Sequence, residues 1–312
     1  MRLPFNIETQ INTYQPEAFI SGIVFAQGQY DMPYFLSNYI RTVHYFNAGT
    51  LLNYYMDNPL LENDGLITED LLVIPMKYAK NVCLAEIAKK ALDSGRYVFG
   101  TFNDQYIPGK QTYEKKYFIH DYLLYGYENN AFISAAYLKG GHYREFTVDF
   151  SDYSRAMLTQ EPDLYMHFLQ YHAASGLGFM EQRVRAALYD YLSSVQLADD
   201  GCVYGLQALN LFADEIEQND SHIDLRSLCF LHEHKSLMKM RLVYMKSNGY
   251  INISDNMLSD YEHMLHCLQA AVMLAMKHQI APNKRIPARI AETIRIAVAQ
   301  DEAALNIVVK QL

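Results

Sequence analysis

The stretch from Tyr97 to Phe150 decides the fold. It contains four short runs rich in aromatic and β-branched residues: YVFGTF at 97–102, YFIHDYLLYGY at 117–127, AFISAAY at 131–137 and YREFTVDF at 143–150. Clusters of Asn, Gly and Pro separate the runs, which is typical of successive antiparallel strands. The sequence therefore predicts a four-strand antiparallel sheet within a chain whose remainder has mostly helical patterns.

The composition indicates a folded, acidic protein. Half of the 312 residues are hydrophobic, and the net charge is −9. An acidic protein is a poor candidate for nonspecific nucleic-acid binding, because that binding depends on Lys and Arg that neutralise phosphates. The sequence contains no run of about 18 apolar residues and no charged-then-apolar leader, so we expect no membrane span and a cytoplasmic location. The four cysteines are far apart in the sequence, which favours neither disulfides nor a zinc site.

Helices are predicted before the sheet. Pro16, with Glu17 beside it, is a helix start signal, since proline lacks the N–H that would be unpaired there. Pro33 predicts the start of a second helix that continues through Phe46. A third, amphipathic helix is expected from 78 to 92, with Cys83 as buried filler. Helices followed by an antiparallel sheet define the α+β class.

The chain beyond Tyr153 is predicted to be helical to its end. Apolar positions recur at helix spacing, with Gly, Asp and Asn clusters between the segments. Long helices joined by short loops form a bundle. We therefore expect two domains, residues 1–157 and 158–312. The predicted helical segments are 163–176, 179–197, 203–216, 224–247, 254–278 and 288–310.

Motifs around the sheet resemble a known family. They are SGRYV at 94–98, DQYIP at 104–108, and His120 followed by LLYGY at 123–127. They resemble the papain-like fold of bacteriocin-processing peptidases and, more closely, the N-terminal domain of the butirosin biosynthesis protein H family of natural-product clusters. Members of that family also have a helical C-terminal half. Its helical signature is similar to Asp224-Leu225-Arg226, EHKSLM at 233–238 and Arg241 of this chain.

The resemblance implies amide-bond chemistry on acyl groups that are tethered to a carrier protein. The expected function is that of an accessory acyltransferase or amide-forming factor in non-ribosomal peptide type biosynthesis. Its partners would be an acyl or peptidyl carrier protein and a small amine or peptide acceptor. No cofactor is implied.

The resemblance also implies a nucleophile and a base. In the family, a cysteine at the start of the first helix takes the acyl group, and a strand histidine deprotonates it. His120 matches the histidine. No cysteine occurs between Met1 and Val82, and the best-aligned residue is Thr13, with Ala18 a poorer equivalent. Thr13 is either a hydroxyl nucleophile or a helix N-cap.

The family often has an Asp or Asn on the following strand to orient the histidine, where Ser134 or Tyr137 of this chain would be a weak substitute. Two acids are the other candidates for orienting His120. Asp104 precedes the histidine strand, and Asp121 adjoins His120 but points to the opposite face by strand alternation. Asp104 is the predicted catalytic acid. The remaining predicted contacts, with substrate, are Gln15, Tyr106 and Tyr137.

Because the cysteine is missing, two further hypotheses for the function of the N-terminal domain stay open. A catalytically degenerate relative would bind a carrier protein or peptide intermediate without covalent chemistry. A protein that only positions a thioester and an amine would also accelerate aminolysis, because proximity offsets much of the entropic barrier. A peptidase is disfavoured most directly by the missing cysteine.

Charged and histidine-rich positions of the helical half have weaker functional signals. His232 and His234 flank Glu233, and the His-Glu-x-x-His spacing of zinc helices is not met, so no metal site is predicted. Lys284-Arg285 and Arg289 form a basic patch that is a candidate contact for an acidic carrier protein. The helical half is also a candidate surface for a homodimer.

Overall fold

The structure is a computed structural model, and it describes residues 1–27, 32–46, 52–55, 66–159, 162–172, 178–198, 201–218 and 223–312. The chain divides into two compact units. The first consists of Met1–Asp31 and Asp57–Gly176, and the second of Met32–Met56 and Leu177–Leu312. Helices and antiparallel sheets are both present, which confirms the α+β class.

The first unit is built on an antiparallel sheet. Its order is β3-β8-β4-β5-β6-β7, six strands among the residues described. The predicted four strands are confirmed as the consecutive part of this sheet. The strands are β3 (Ile67–Pro75), β4 (Tyr97–Asn103), β5 (Ile119–Glu128), β6 (Ala131–Leu138), β7 (His142–Asp149) and β8 (Asp163–Tyr171).

Tight turns connect the last consecutive strands. Asn129 and Asn130 form a two-residue turn between β5 and β6 with φ values of 44° and 67°, whereas β6 and β7 are joined by the three residues Lys139, Gly140 and Gly141, of which the two glycines have φ values of 92° and 74°. Two successive residues with positive φ match the twist of a two-residue hairpin, and Asn and Gly tolerate that conformation best. Local turn chemistry therefore fixes the pairing of these strands.

Helices cover both faces of the sheet. The main core cluster lies between one face and two helices, α4 (Leu84–Asp93) and α5 (Phe150–Met157); it includes Phe102, Tyr122 and Tyr153. On the other face, α1 (Gln15–Phe25) is almost wholly buried. A short helix, α3 (Met76–Ala79), follows β3.

Several predicted elements are wrong. Segment 163–176 is not a helix, because residues 163–171 form β8, which pairs with both β3 and β4; β8 therefore places the boundary of the first unit beyond residue 157. The helix expected from Pro33 ends at Phe35, and Thr42–His44 is a strand. The helix expected over 78–92 is divided into α3 and α4, and Cys83 between them is exposed rather than buried.

The second unit is mainly helical. A small antiparallel sheet in it has the order β2-β1-β9. None of the described helices combines the length and apolarity required to cross a membrane. The elements of the second unit are α2 (Met32–Phe35), β1 (Thr42–His44), β2 (Leu52–Tyr54), α6 (Glu181–Ser193), β9 (Val203–Tyr204), α7 (Gly205–Gln218), α8 (Leu225–Ser247), α9 (Asp255–Ile280) and α10 (Arg285–Val309).

Candidate functional site

The candidate site lies at the end of the sheet where the chain leaves β4 and returns into β5. His120 is the second residue of β5 and pairs with Phe102 of β4. A single 3-10 turn from Asp104 to Tyr106 follows β4. The backbone N–H of Asp104 donates to the carbonyl of Phe118 at 2.8 Å. This bond places Asp104 beside the first residues of β5.

Three charged or titratable side chains meet at this end, and we call them the His120 cluster: His120, Asp104 and Lys110. Nδ1 of His120 lies 3.4 Å from Oδ2 of Asp104, and Nζ of Lys110 lies 3.5 Å from Oδ1 of the same carboxylate. The exposed fractions of the three side chains are 31% for His120, 6% for Asp104 and 1% for Lys110. Within the cluster, the imidazole is thus the group that solvent or a substrate reaches.

Lys110 is a buried cation. Its ammonium group lies 5.5 Å from the ring centre of Phe102 and 5.7 Å from that of Phe146. Burial lowers the pKa of Lys110, and the carboxylates of Asp104 and Asp121 act in the opposite direction. Asp104 is therefore both the ion-pair partner of Lys110 and the acid beside His120.

Asp121 belongs to the same charged region but to the other face of the sheet. Burial raises the pKa of Asp121, and the nearby charges of His120 and Lys110 oppose that rise. Side chains of successive strand residues point to opposite faces. Of the two acids that the sequence left open, Asp104 is the one in contact with the imidazole.

The first helix packs on the face of the sheet that His120 does not share. The ring of Phe19 in α1 lies 5.8 Å from that of Phe99. Phe99 pairs with Leu123, two residues along β5 from Asp121, so these side chains share one face. His120 points to the other face, where the core cluster of α4 and α5 lies.

Gln15, at the start of α1, binds two strands at once. Its Nε2 donates to the carbonyl of Asp121 at 2.8 Å, and its Oε1 accepts the backbone N–H of Tyr137 at 2.8 Å. The register of β5 and β6 pairs Leu123 with Ala135, so Asp121 and Tyr137 would pair next. The Gln15 amide is inserted at that point, and both ends of this predicted substrate contact are bonded to backbone.

Thr13 lies just outside α1. The N-cap position is occupied by Tyr14, which makes no side-chain cap bond, so the N-cap interpretation of Thr13 is wrong by one residue. Thr13 is buried. The preceding residue, Asn12, accepts a hydrogen bond from the hydroxyl of Tyr137 through its carbonyl. This segment is thereby attached to the α1 side of the sheet.

Tyr106, the remaining predicted contact, faces α5. The guanidinium of Arg155 lies 4.5 Å from the centre of its ring. This cation–π contact joins the turn after β4 to α5. Tyr106 is only partly buried and lies two residues from Asp104, next to the His120 cluster in sequence.

His234 and His263 of the second unit each have a separate local partner. His234 is fully buried, its Nε2 donates to the carbonyl of Ile40 at 2.9 Å, and burial lowers its pKa to about 3. Nε2 of His263 lies 3.6 Å from the sulfur of Cys267. Across the residues that the structure describes, no group of three or more His, Cys, Asp or Glu could hold a metal ion. The basic patch at Lys284, Arg285 and Arg289 is exposed around the start of α10.

Neither a protein-family model nor a curated protein sequence matches the chain. The functional proposal below depends on the geometry of the site and on the sequence resemblance.

Lys110 is the site residue that the sequence did not single out. A lysine in a turn-rich segment is usually solvent-exposed. Its burial depends on a cage formed by Phe102 and Phe146, which come from different strands. The segment from 109 to 116 contains no pattern that would indicate this cage.

Proposed function

We propose that the first unit promotes transfer of an acyl group from a carrier-protein thioester to an amine, with His120 as general base and without a covalent acyl-protein intermediate. The observation that supports this proposal is a partly exposed imidazole beside the buried carboxylate of Asp104, 3.4 Å from Nδ1. A histidine oriented by an acid in this way is a common general base. The carrier protein and the biosynthetic setting come from the sequence resemblance.

The chemistry requires one proton relay. A carboxylate beside Nδ1 favours the tautomer that has its proton on that nitrogen, which leaves Nε2 unprotonated. The amine nitrogen attacks the thioester carbonyl carbon, and Nε2 of His120 takes a proton from the amine. The carbon–sulfur bond then breaks, and the proton passes from the imidazole to the departing thiolate. An amide and a free carrier thiol are the products.

The geometry favours this direct route over a covalent one. In the papain-like arrangement, the nucleophile at the start of the first helix lies beside the base. In this chain α1 packs on the face opposite to His120, and Gln15 binds the strands at its first turn. Thr13 also lacks the adjacent N-terminal amine that activates a threonine hydroxyl. The base is thus assigned to His120 and no nucleophilic role is assigned to Thr13.

Intact mass spectrometry of both proteins tests this function. An acetyl-loaded carrier protein is mixed with a primary amine and the chain, and the carrier and the chain are weighed over time. We expect faster loss of acetyl from the carrier, appearance of the amide, and no mass change of the chain. The rate should fall about 100-fold or more in His120→Ala and stay within about two-fold of wild type in Thr13→Ala and in the exposed control His142→Ala.

Two results would count against the proposal. An acetyl adduct on the chain that is lost in Thr13→Ala would establish the covalent route. No acceleration by the wild type would favour the second candidate, binding of a carrier protein without catalysis. The observation that favours this candidate is that α1, where the family has its nucleophile, packs on the face of the sheet opposite to His120. Calorimetric titration with the acetyl-loaded carrier would then show binding without turnover.

A further inference from the structure

We propose that Lys110 is a positioning residue for His120: its ammonium group neutralises Asp104, so that the imidazole stays uncharged and presents Nε2 as an unprotonated nitrogen. This inference rests on the proposed function, in which the uncharged imidazole is the base. Lys110 does not act on substrate. It acts through the carboxylate of Asp104.

The contacts place the carboxylate between a cation and the base. Lys110 lies 3.5 Å from Oδ1 of Asp104, and His120 lies 3.4 Å from Oδ2. The backbone holds Lys110 in its turn, because its N–H donates to the carbonyl of Ile107 and its own carbonyl accepts the N–H of Tyr113, both at 3.3 Å. The ammonium group and the imidazole thus approach different oxygens of one carboxylate.

The electrostatic consequence follows from these positions. A carboxylate without a counter-charge favours the protonated form of a neighbouring imidazole. An ammonium group on the same carboxylate offsets this effect. Asp104 and Lys110 are almost fully buried, so water and salt screen the interaction weakly. Lys110 thus favours the uncharged imidazole that a general base requires.

Three side chains of the His120 cluster have an unpaired buried atom. Among the residues that the structure describes, these atoms are Oδ1 of Asp104, Nζ of Lys110 and Nδ1 of His120. Buried polar groups without a partner are uncommon in folded proteins and need an explanation such as a catalytic role. The cluster is therefore joined by charge at 3.4 to 3.5 Å rather than by a closed hydrogen-bond network.

Charged groups on the elements that adjoin the cluster include Asp121 and Arg155. Asp121 follows His120 on β5, and its charge acts on Lys110. Arg155 belongs to α5 and contacts the ring of Tyr106. Neither forms an ion pair with His120 within 4.0 Å in the described part of the chain, whereas Asp104 does. Asp104 is thus the charged group that contacts both Lys110 and His120.

The 15N spectrum of the His120 ring tests the proposal, because it distinguishes imidazolium from the two neutral tautomers. In the wild type we expect Nε2 to be the unprotonated ring nitrogen. Lys110→Met should raise the imidazolium fraction about three-fold or more, since the carboxylate loses its counter-charge. Lys115→Met, an exposed lysine of the same loop, is the matched control and should match the wild type.

A double-variant cycle tests the route of the effect. In an Asp104→Asn background, Lys110→Met should change the His120 spectrum much less than it does in the wild-type background, because the carboxylate that Lys110 neutralises is absent. An unchanged spectrum in Lys110→Met, or an equal change in the Asp104→Asn background, would overturn the proposal.

Separate measurements distinguish a folding defect from a change in the protonation of His120. Backbone amide spectra report folding, and Lys110→Gln replaces Lys110→Met if the latter is unfolded. A third outcome is that Lys110→Met and Lys110→Gln both fail to fold, whereas Lys110→Met combined with Asp104→Asn folds. In that case Lys110 serves only to offset the burial of Asp104, and the proposal is overturned. The ring spectra need no carrier protein. If the ring spectra are as expected but no acyl transfer occurs, only the proposed function is contradicted. If acyl transfer occurs but the ring spectra differ from expectation, only the role of Lys110 is contradicted.

Discussion

Each unit of the protein buries a lysine beside an aspartate, and the two pairs differ in their access to water. In the second unit, Nζ of Lys235 lies 2.5 Å from Asp301, and both side chains are fully buried. In the first unit, Lys110 lies 3.5 Å from Asp104, whose other oxygen faces the partly exposed His120. We call them the sealed pair and the open pair.

The sealed pair belongs to a complete hydrogen-bond network that joins four helices. Lys235 of α8 donates to the hydroxyl of Tyr191 of α6 at 2.5 Å, and that hydroxyl donates to Asp301 of α10 at 2.7 Å. The hydroxyl of Tyr261 of α9 donates to the other carboxylate oxygen. Burial tends to raise the pKa of Asp301, but the charge of Lys235 and the hydrogen bond from Tyr261 hold it below its usual value.

The two lysine–aspartate pairs have different roles although their charges are similar. A buried charge is costly unless its partners satisfy it, and removing one partner leaves an uncompensated charge. The sealed pair has such partners and no opening, which suits it to holding helices in register. The open pair lies beside the partly exposed imidazole of His120, which suits it to influencing a group that changes protonation during a reaction.

The largest expected effect is on the sealed pair. Lys235→Met should lower the free energy of unfolding by about 3–5 kcal/mol, because Asp301 would stay buried without its cation. Urea unfolding followed by circular dichroism measures this change. Lys239→Met is the control, since Lys239 forms a partly exposed ion pair with Glu262, and it should cost less than about 1 kcal/mol. Equal costs for the two variants would remove the distinction between sealed and surface charges.

A second prediction concerns acid, and it comes from His234 beside the sealed pair. Burial lowers its pKa from 6.5 to about 3, so the folded protein holds the neutral ring while the unfolded chain binds a proton. The stability from this group is therefore present above pH 6.5 and lost as the pH falls toward 3, at about 1.4 kcal/mol per pH unit. The gap in unfolding free energy between wild type and His234→Gln should narrow from pH 7 to pH 4. A constant gap would contradict the prediction.

A smaller effect is expected where α1 meets the strands. Gln15→Ala removes two hydrogen bonds to the backbone of β5 and β6 and should lower the free energy of unfolding by about 1–3 kcal/mol. Gln111→Ala, on the exposed loop, should change it by less than about 0.5 kcal/mol. Hydrogen exchange of the Tyr137 amide provides a local readout. Unchanged protection in Gln15→Ala would contradict a role in joining the strands.

The smallest stability change is expected when the open pair is neutralised as a whole. Lys110→Met combined with Asp104→Asn should change the free energy of unfolding by about 1 kcal/mol or less, because no buried charge is left unpaired. The same exchange at the sealed pair, Lys235→Met with Asp301→Asn, should cost more, since Tyr191 and Tyr261 lose their carboxylate acceptor. Parallel urea unfolding of the two double variants compares them. A larger loss of unfolding free energy in the open-pair double variant than in the sealed-pair double variant would contradict the distinction between the two pairs.

The sequence predicts local elements of this fold better than distant pairings. The strands from 97 to 149 follow from aromatic and β-branched runs and from the Asn129-Asn130 and Gly140-Gly141 turns. Strand β8 was expected to be a helix because its apolar residues also fit helical spacing. Its conformation depends on pairing with β3 and β4, which are remote in sequence, and tertiary context of this kind overrides local pattern.

The same limit applies to the candidate site. The acid beside His120 was expected from Asp104 in the turn after a strand, and the structure places it there. The burial of Lys110 was not expected, because its aromatic cage comes from β4 and β7. The face on which α1 packs depends on side-chain contacts such as that of Phe19 with Phe99. No periodicity within α1 indicates which face of the sheet it covers.

The most direct test measures two properties of one variant, His120→Gln. We predict that the rate of acyl transfer from an acetyl-loaded carrier protein to a primary amine falls about 100-fold or more. The free energy of unfolding should stay within about 1 kcal/mol of wild type, because the imidazole is partly exposed. A transfer rate equal to that of the wild type, in a variant that folds equally well, would contradict the assignment of His120 as the base.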